Sequence, residues 1–313
     1  MAGTKKGSSK SPSPTPIARK LRWILGPGRL MAAAALLVVG FLAGWHWLWQ
    51  RVGSEVVSLP EYRVPIEAIE LTPLPAWIHT DVRGEAYRDL TIDGPLSILD
   101  ETLAERTKNA FALHPWIARV ERVEKRAGGR LVVEVTYRQP VCMVEFGGEL
   151  HPVDGDAVLL PSADFSPVEK QTRYLRLAGI ESGPMGPVGT RWGNPRVSGG
   201  AEIAAVLLPV WEKLGLERIL PSAMPDPLHD YDQTYEVLTR RGTWIFWGHV
   251  PSSNLGGEQN GADKRARLER YFTEHATLEG TTGPQKLDLT RSDSIEVPAS
   301  PAADAQRARP PRR

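Results

Sequence analysis

Asp226, Asp230 and Asp232 bracket His229, and carboxylates beside an imidazole are the groups that general acid–base chemistry needs. Their neighbours point elsewhere. Pro221, Pro225 and Pro227 make this stretch read as a solvated loop. Asp154-Gly155-Asp156 resembles the opening of a calcium loop, but the later ligands of that frame are missing, so it reads as a strand-to-strand turn. The histidines at 79, 114, 151, 249 and 275 show no ligand spacing. The chain beyond residue 50 holds no Gly-x-Ser-x-Gly, no Walker loop, no Ser-x-x-Lys and no His-Glu-x-x-His. Cys142 is the only cysteine, which rules out an intramolecular disulfide and any Cys-based metal site. The expectation is therefore no catalytic, cofactor-binding or metal-ligating residue. What remains is contact chemistry. Trp244 and Trp247 lie three apart and project from opposite faces of a strand, so one can be core and the other an exposed anchor.

The compartment in which such contacts occur is set near the N-terminus. Leu30 to Trp49 contains no Asp, Glu, Lys or Arg. At ~1.5 Å per residue it is long enough to cross ~30 Å of hydrocarbon. Lys5, Lys6, Lys10, Arg19, Lys20, Arg22 and Arg29 precede it, with no acidic residue among them. Segments rich in Lys and Arg stay on the cytoplasmic side, so the N-terminus is expected inside and the rest of the chain outside. A cleaved signal peptide has the same basic start, but here the apolar run is long and no Ala-x-Ala site follows. Trp45, Trp47 and Trp49 read instead as an interfacial belt on a retained helix. Gly40 and Gly44 form a small-xxx-small pair through which another membrane helix can approach.

Charge is unevenly spread. The chain carries +1 overall. Setting aside the seven N-terminal cations and the net +3 of the tail from Ala299, the stretch 30–298 is left at −9. An acidic outer part argues against nucleic acid as a partner. The basic N-terminus suits the anionic leaflet of a lipid bilayer. Composition thus divides the chain into a disordered basic segment (1–29), a transmembrane helix (30–50), an extended Pro-rich linker (51–74), a small α/β module (75–143), a β-rich domain with two helices (144–298) and a disordered tail (299–313).

Within the module, Trp77–Val82 reads as a strand. A helix Ser97–Leu113 opens on the box Ser97-Ile-Leu-Asp100, with Leu99, Leu103, Thr107, Ala110 and Phe111 as its buried stripe. Leu131–Tyr137 alternates as a half-buried strand, with Ile117–Lys125 as its hairpin partner through Gly128-Gly129. Val120 and Val123 then require a bulge to share a face. The sum is βαββ. Further on, strands are expected at Met143–Phe146, Ala157–Leu160, Tyr174–Ala178, Tyr235–Thr239, Thr243–Gly248, Lys286–Leu289 and Ser294–Val297. Helices are expected at Ala201–Leu214, kinked at Pro209, and at Ala262 to about His275. The class is α+β.

This order of features resembles the bacterial cell-division family FtsQ/DivIB. Pro115-Trp116-Ile117 matches the family's Pro-Trp-Val. Leu131–Val135 matches its Leu-x-Ile-x-Val strand, and Arg138-Gln139-Pro140-Val141 its Arg-x-Pro-Val/Ile. Val153-Asp154 followed by Val158 resembles its Val-Asp turn, and Leu287-Asp288-Leu289 with Ile295–Val297 its closing strand pair. Tyr137 and Thr290 stand where the family's pattern has Glu and Arg. The resemblance implies a POTRA domain followed by a β-domain, no enzymatic activity, and a scaffold role at the division septum of the cytoplasmic membrane. Its implied partners are FtsB/FtsL-like bitopic proteins and other divisome components, held by strand addition to the last strands: Lys286, Leu287, Asp288, Leu289, Ser294, Ile295 and Val297, with Trp244 or Trp247 as anchor. An envelope enzyme of the peptidoglycan-hydrolase kind and a POTRA-bearing export component are the alternative readings. The first expects a nucleophile or metal set, the second several modules or a barrel.

Overall fold

The apolar run becomes one long helix. In a computed structural model of the chain, which describes residues 29–57, 62–92, 94–222, 233–253, 259–281, 283–291 and 295, α1 spans Arg29–Val57. Its stretch Met31–Arg51, 21 residues, has no buried position, and it is the one helix among the described residues long and apolar enough to cross a membrane. The Arg51 guanidinium lies 5.0 Å over the Trp47 ring. Gln50 Nε2 sits 3.0 Å from His46 Nε2. A methyl group added at Gly40 or Gly44 meets nothing within 4 Å, so both positions are open to a neighbour. The helix runs seven residues past the expected end at residue 50, because the first helix-breaking proline after it is Pro60. The described residues form two compact units. The first holds α1 and a small clasp, in which Arg63 and Ser97 bridge antiparallel and Ile98 N–H donates to the Tyr62 carbonyl at 2.8 Å.

The second unit contains two sheets. The smaller is built from β1 (Ile69–Leu71), β2 (Ile117–Arg126) and β3 (Arg130–Tyr137), with α2 (Val82–Thr91) and α3 (Leu103–Leu113) between β1 and β2. The order is β1-β3-β2, with β1 parallel to β3 and β2 antiparallel to it. Gly128 and Gly129, at φ 81° and 71°, supply the left-handed pair that a tight hairpin needs. Register slips between Val120 and Arg122, so Val120 meets Val135, Val123 meets Val133, and both valines turn inward as a bulge requires.

Four expectations fail in this module. The first strand is Ile69–Leu71, inside the expected linker, where Ile69 is buried opposite Leu131. Trp77 lies in a turn, and Val82 opens a helix because Asp81 caps it, accepting from Gly84 N–H at 3.0 Å. That helix, α2, makes the module β-α-α-β-β rather than βαββ. Ser97 does not cap α3, which begins at Leu103 after the bridge to Arg63 has taken Ser97 into extended structure. Leu99 is accordingly 43% exposed, while Leu103, Thr107 and Phe111 are buried as expected.

Among the described residues the larger sheet has seven strands: β4 (Pro140–Phe146), β5 (Glu149–Asp154), β6 (Leu175–Leu177), β7 (Leu216–Pro221), β8 (Tyr235–Thr239), β9 (Trp244–Gly248) and β10 (Lys286–Asp288). Their order is β10-β9-β8-β7-β6-β4-β5, parallel at β10/β9, β6/β7 and β4/β6. β5 and β7 had no counterpart in the expected strands. Ala157–Leu160 contributes bridges rather than a strand, Val153 to Leu159 and Val158 to Arg191. A short helix α4 (Pro167–Thr172) starts from a capping box, Ser166 with Glu169.

α5 (Pro195–Leu207) and α6 (Gly261–His275) are the two expected helices, the first displaced. Asn194 caps α5, Pro195 takes its first position, and the helix stops before Pro209 instead of kinking there. Val210, Trp211 and Leu214 still reach the core from the turns that follow. α5 lies against β4–β7 and α6 packs on α5. At Gly200 the approach is so close that a Cβ would stand 2.5 Å from Leu177 Cδ1.

Candidate partner-binding edge

Among the described residues β10 is the last strand in sequence and an edge strand in space. Parallel pairing with β9 sets Lys286 against Trp244, Leu287 against Ile245 and Asp288 against Phe246. Gln285 C=O accepts from Trp244 N–H at 2.9 Å and Leu289 N–H donates to Phe246 C=O at 3.0 Å. Odd-numbered residues therefore bond inward to β9, and the backbone groups of Lys286 and Asp288 face outward. Asp288 N–H is already engaged by Ile295 C=O at 2.7 Å. Among the described residues the open part of this edge is thus the backbone at Lys286, and the chain itself covers it at Asp288.

Side chains sort by alternation. Leu287 and Leu289 are fully buried in the core and their backbone groups point to β9, so as contact residues they are corrected. Trp247 is also fully buried and is no anchor. It shares the inward face with Ile245, its carbonyl accepts from Lys264 Nζ at 2.8 Å, and that ammonium stands 5.3 Å from its ring centroid. Trp244, 39% exposed, is the outward one. Leu238 and Phe246, half-buried, stand beside it on the helix-free face, with Glu236, Lys286 and Asp288 around them. Asp288 Oδ1 accepts from Thr290 N–H at 2.9 Å and its hydroxyl at 2.6 Å, a local turn that bends the chain away after β10. Ile295 packs on the core. Ser294 and Val297 lie outside the described residues.

Asp154 is spent on structure: its Oδ1 accepts from Asp156 and Val158 N–H at 3.0 and 2.8 Å, and its Oδ2 takes Arg138 Nη1 at 2.7 Å. Cys142 is fully buried, and burial with the nearby Asp154 charge pushes its thiol up to about 12. The thiolate, and with it nucleophilic reactivity, is suppressed. Asp226, His229, Asp230 and Asp232 lie outside the described residues. Among the described residues no group of three or more His, Cys, Asp or Glu could hold a metal ion. A concavity of about 610 Å³ at the start of α5 is lined by Ser198, Glu202, Tyr235, His249 and Ser253 among others. Its Glu202 accepts from Ser252 N–H, and its Tyr235 hydroxyl donates to the Arg196 carbonyl at 3.1 Å.

A second cluster, unforeseen as a cluster, joins the two sheets. Trp116, Arg138 and Asp154, all in sequence motifs, come together there. Trp116 C=O accepts Arg138 N–H at 2.8 Å. Arg138 and Asp154 form an ion pair whose side chains are 16% and 6% exposed. Asp164, which no motif marked, closes the joint. Its carboxylate receives the Trp116 indole N–H at 2.5 Å, the Thr80 hydroxyl at 2.8 Å and His79 N–H at 3.1 Å. The only sequence signal available was the isolated Asp before Phe165, which is too common to stand out. Compared with known proteins, the chain matches no family model and no curated protein.

Proposed function

We propose that this chain is an FtsQ/DivIB-like division scaffold: a non-enzymatic membrane protein whose extracytoplasmic part recruits FtsB/FtsL-like bitopic partners and links early to late divisome components. The observation that carries the reading is the meeting of Trp116, Arg138 and Asp154. The β2–β3 and β4–β5 pairings bring three motif positions, spread over about forty residues, to one place. Here they touch in one joint, buried between two sheets. α1 serves as a retained anchor with the N-terminus in the cytoplasm and the two sheets outside, at the septum of the cytoplasmic membrane. The β-α-α-β-β module takes the POTRA-like place, and the seven-stranded sheet that of the β-domain.

The partner adds a strand along β10, with Trp244 as its apolar anchor. An unpaired strand edge supplies backbone donors and acceptors, and an exposed indole supplies most of the side-chain energy. Depletion tests the role: cells should elongate without septa, and unchanged division removes the reading. A reporter active only outside the cytoplasm, fused after Arg313, tests the topology, together with the N-terminus of the mature protein. A mature chain beginning near Gln50 would make α1 a signal sequence. A photocrosslinker at Lys286 should capture the partner, while one at Trp247 should not.

A further inference from the structure

The joint between the sheets contains a buried histidine that none of the motifs requires. His114 ends α3, and its side chain is only 5% exposed. Trp116 N–H donates to His114 Nδ1 at 3.2 Å. A ring nitrogen that accepts carries no proton, so the proton is on Nε2, which donates to Glu85 Oε2 at 3.1 Å. The tautomer is therefore fixed by its two neighbours. Two residues on, the Trp116 indole donates to Asp164, and its ring lies 6.0 Å from Phe165. One residue thus ties His114 by its backbone and Asp164 by its side chain.

We propose that His114 is an acid sensor for this joint: protonation at Nδ1 removes the acceptor for Trp116 N–H and loosens the Trp116–Asp164 clasp between the two sheets. Two donors would then face each other across the place of the lost bond, and a buried backbone N–H would stand without a partner, which proteins tolerate poorly. The groups that face the ring are Glu85 and Asp89 of α2 and Asp164 across the joint. Arg88 lies 3.9 Å from Glu85. The carboxylates favour the imidazolium, while burial opposes it and is the larger influence, so His114 titrates below its ordinary 6.5. The sign follows: the unfolded chain takes up the proton first, so this contribution to stability is whole above 6.5 and fades as pH falls below it. Since the joint lies in the part proposed to be outside the cytoplasm, it would respond to external acidity.

Hydrogen exchange on the full chain in detergent tests this. Between about pH 7.5 and pH 5, after correction for intrinsic rates, peptides covering 114–118 and 162–166 should lose protection by roughly tenfold, while the β2–β3 hairpin keeps its own. His114→Gln, which cannot titrate, should abolish the difference. Glu85→Gln should move the transition to lower pH, and it decides the matter should His114→Gln fail to fold. No local loss at low pH, an equal loss in the hairpin, the same pH dependence in His114→Gln, or an unmoved transition in Glu85→Gln would each overturn the proposal.

Discussion

Among the described residues, the two sheets each leave one face uncovered by helices, and they treat it in opposite ways. On the small sheet that face is a ladder of charges. Glu70 pairs with Arg130 at 3.0 Å, Arg122 with Glu134 at 3.5 Å, and the Thr136 hydroxyl donates to Glu121 at 2.7 Å. On the large sheet, Arg176 holds Glu145 and Glu217 at one end, while toward β9 the apolar Leu238, Phe246 and Trp244 stand together, with Glu236, Lys286 and Asp288 around them. A face whose polar groups satisfy one another across strands is at rest in water. A face that keeps a large indole 39% exposed beside an edge strand is poised for contact. On the proposed reading, the difference assigns the partner surface to the second sheet and leaves the first as a support.

That contrast can be broken in several places. Trp247→Ala should have the largest effect, a loss of ~3–5 kcal/mol in denaturant unfolding, because it hollows the core beneath β9. A loss under ~1 kcal/mol would mean that the inward and outward rings have been exchanged. Leu103→Ala should cost ~2–5 kcal/mol, since the side chain is fully buried between α3 and its sheet. Leu99→Ala should stay within ~0.5 kcal/mol, so the pair measures where α3 begins. Trp244→Ala should change stability by ~1 kcal/mol or less yet weaken partner capture at least tenfold, as read by pull-down of FtsB/FtsL-like proteins. The opposite pattern would make it a packing residue. Glu134→Ala, on the charged face, should change unfolding by less than ~0.5 kcal/mol, with the difference shrinking as salt is raised.

Alternation was the most legible signal in the chain. Leu131–Tyr137, Tyr235–Thr239 and Trp244–Gly248 follow it, and so do the bulge at Val120 and the Gly128-Gly129 turn. The amphipathic pattern of α6 was equally clear. The short strand Ile69–Leu71 was hidden because three residues carry no period, and its place is decided by pairing with β3. α2 was obscured by Gly84, whose cost within a helix is outweighed by the cap from Asp81. Ser97 misled because a capping box is a local signal, and its tertiary bridge to Arg63 won. At the edge, spacing showed that Trp244 and Trp247 face apart, but which of them is inward depends on where α5 and α6 come to rest. Asp164 was illegible for a related reason: its ligands come from residues nearly fifty to more than eighty positions away.

If a partner strand adds along β10 as proposed, the bond from Asp288 N–H to Ile295 C=O makes the chain its own competitor. An incoming strand that wants the whole length of β10 finds that position taken, and it binds only in the fraction of molecules where Ile295 has let go. Its apparent dissociation constant is the intrinsic one divided by that fraction. On that reading, affinity at this edge is adjustable from residues that never touch the partner. Any substitution that lifts Ile295 from the core would tighten the complex without adding a single contact to it.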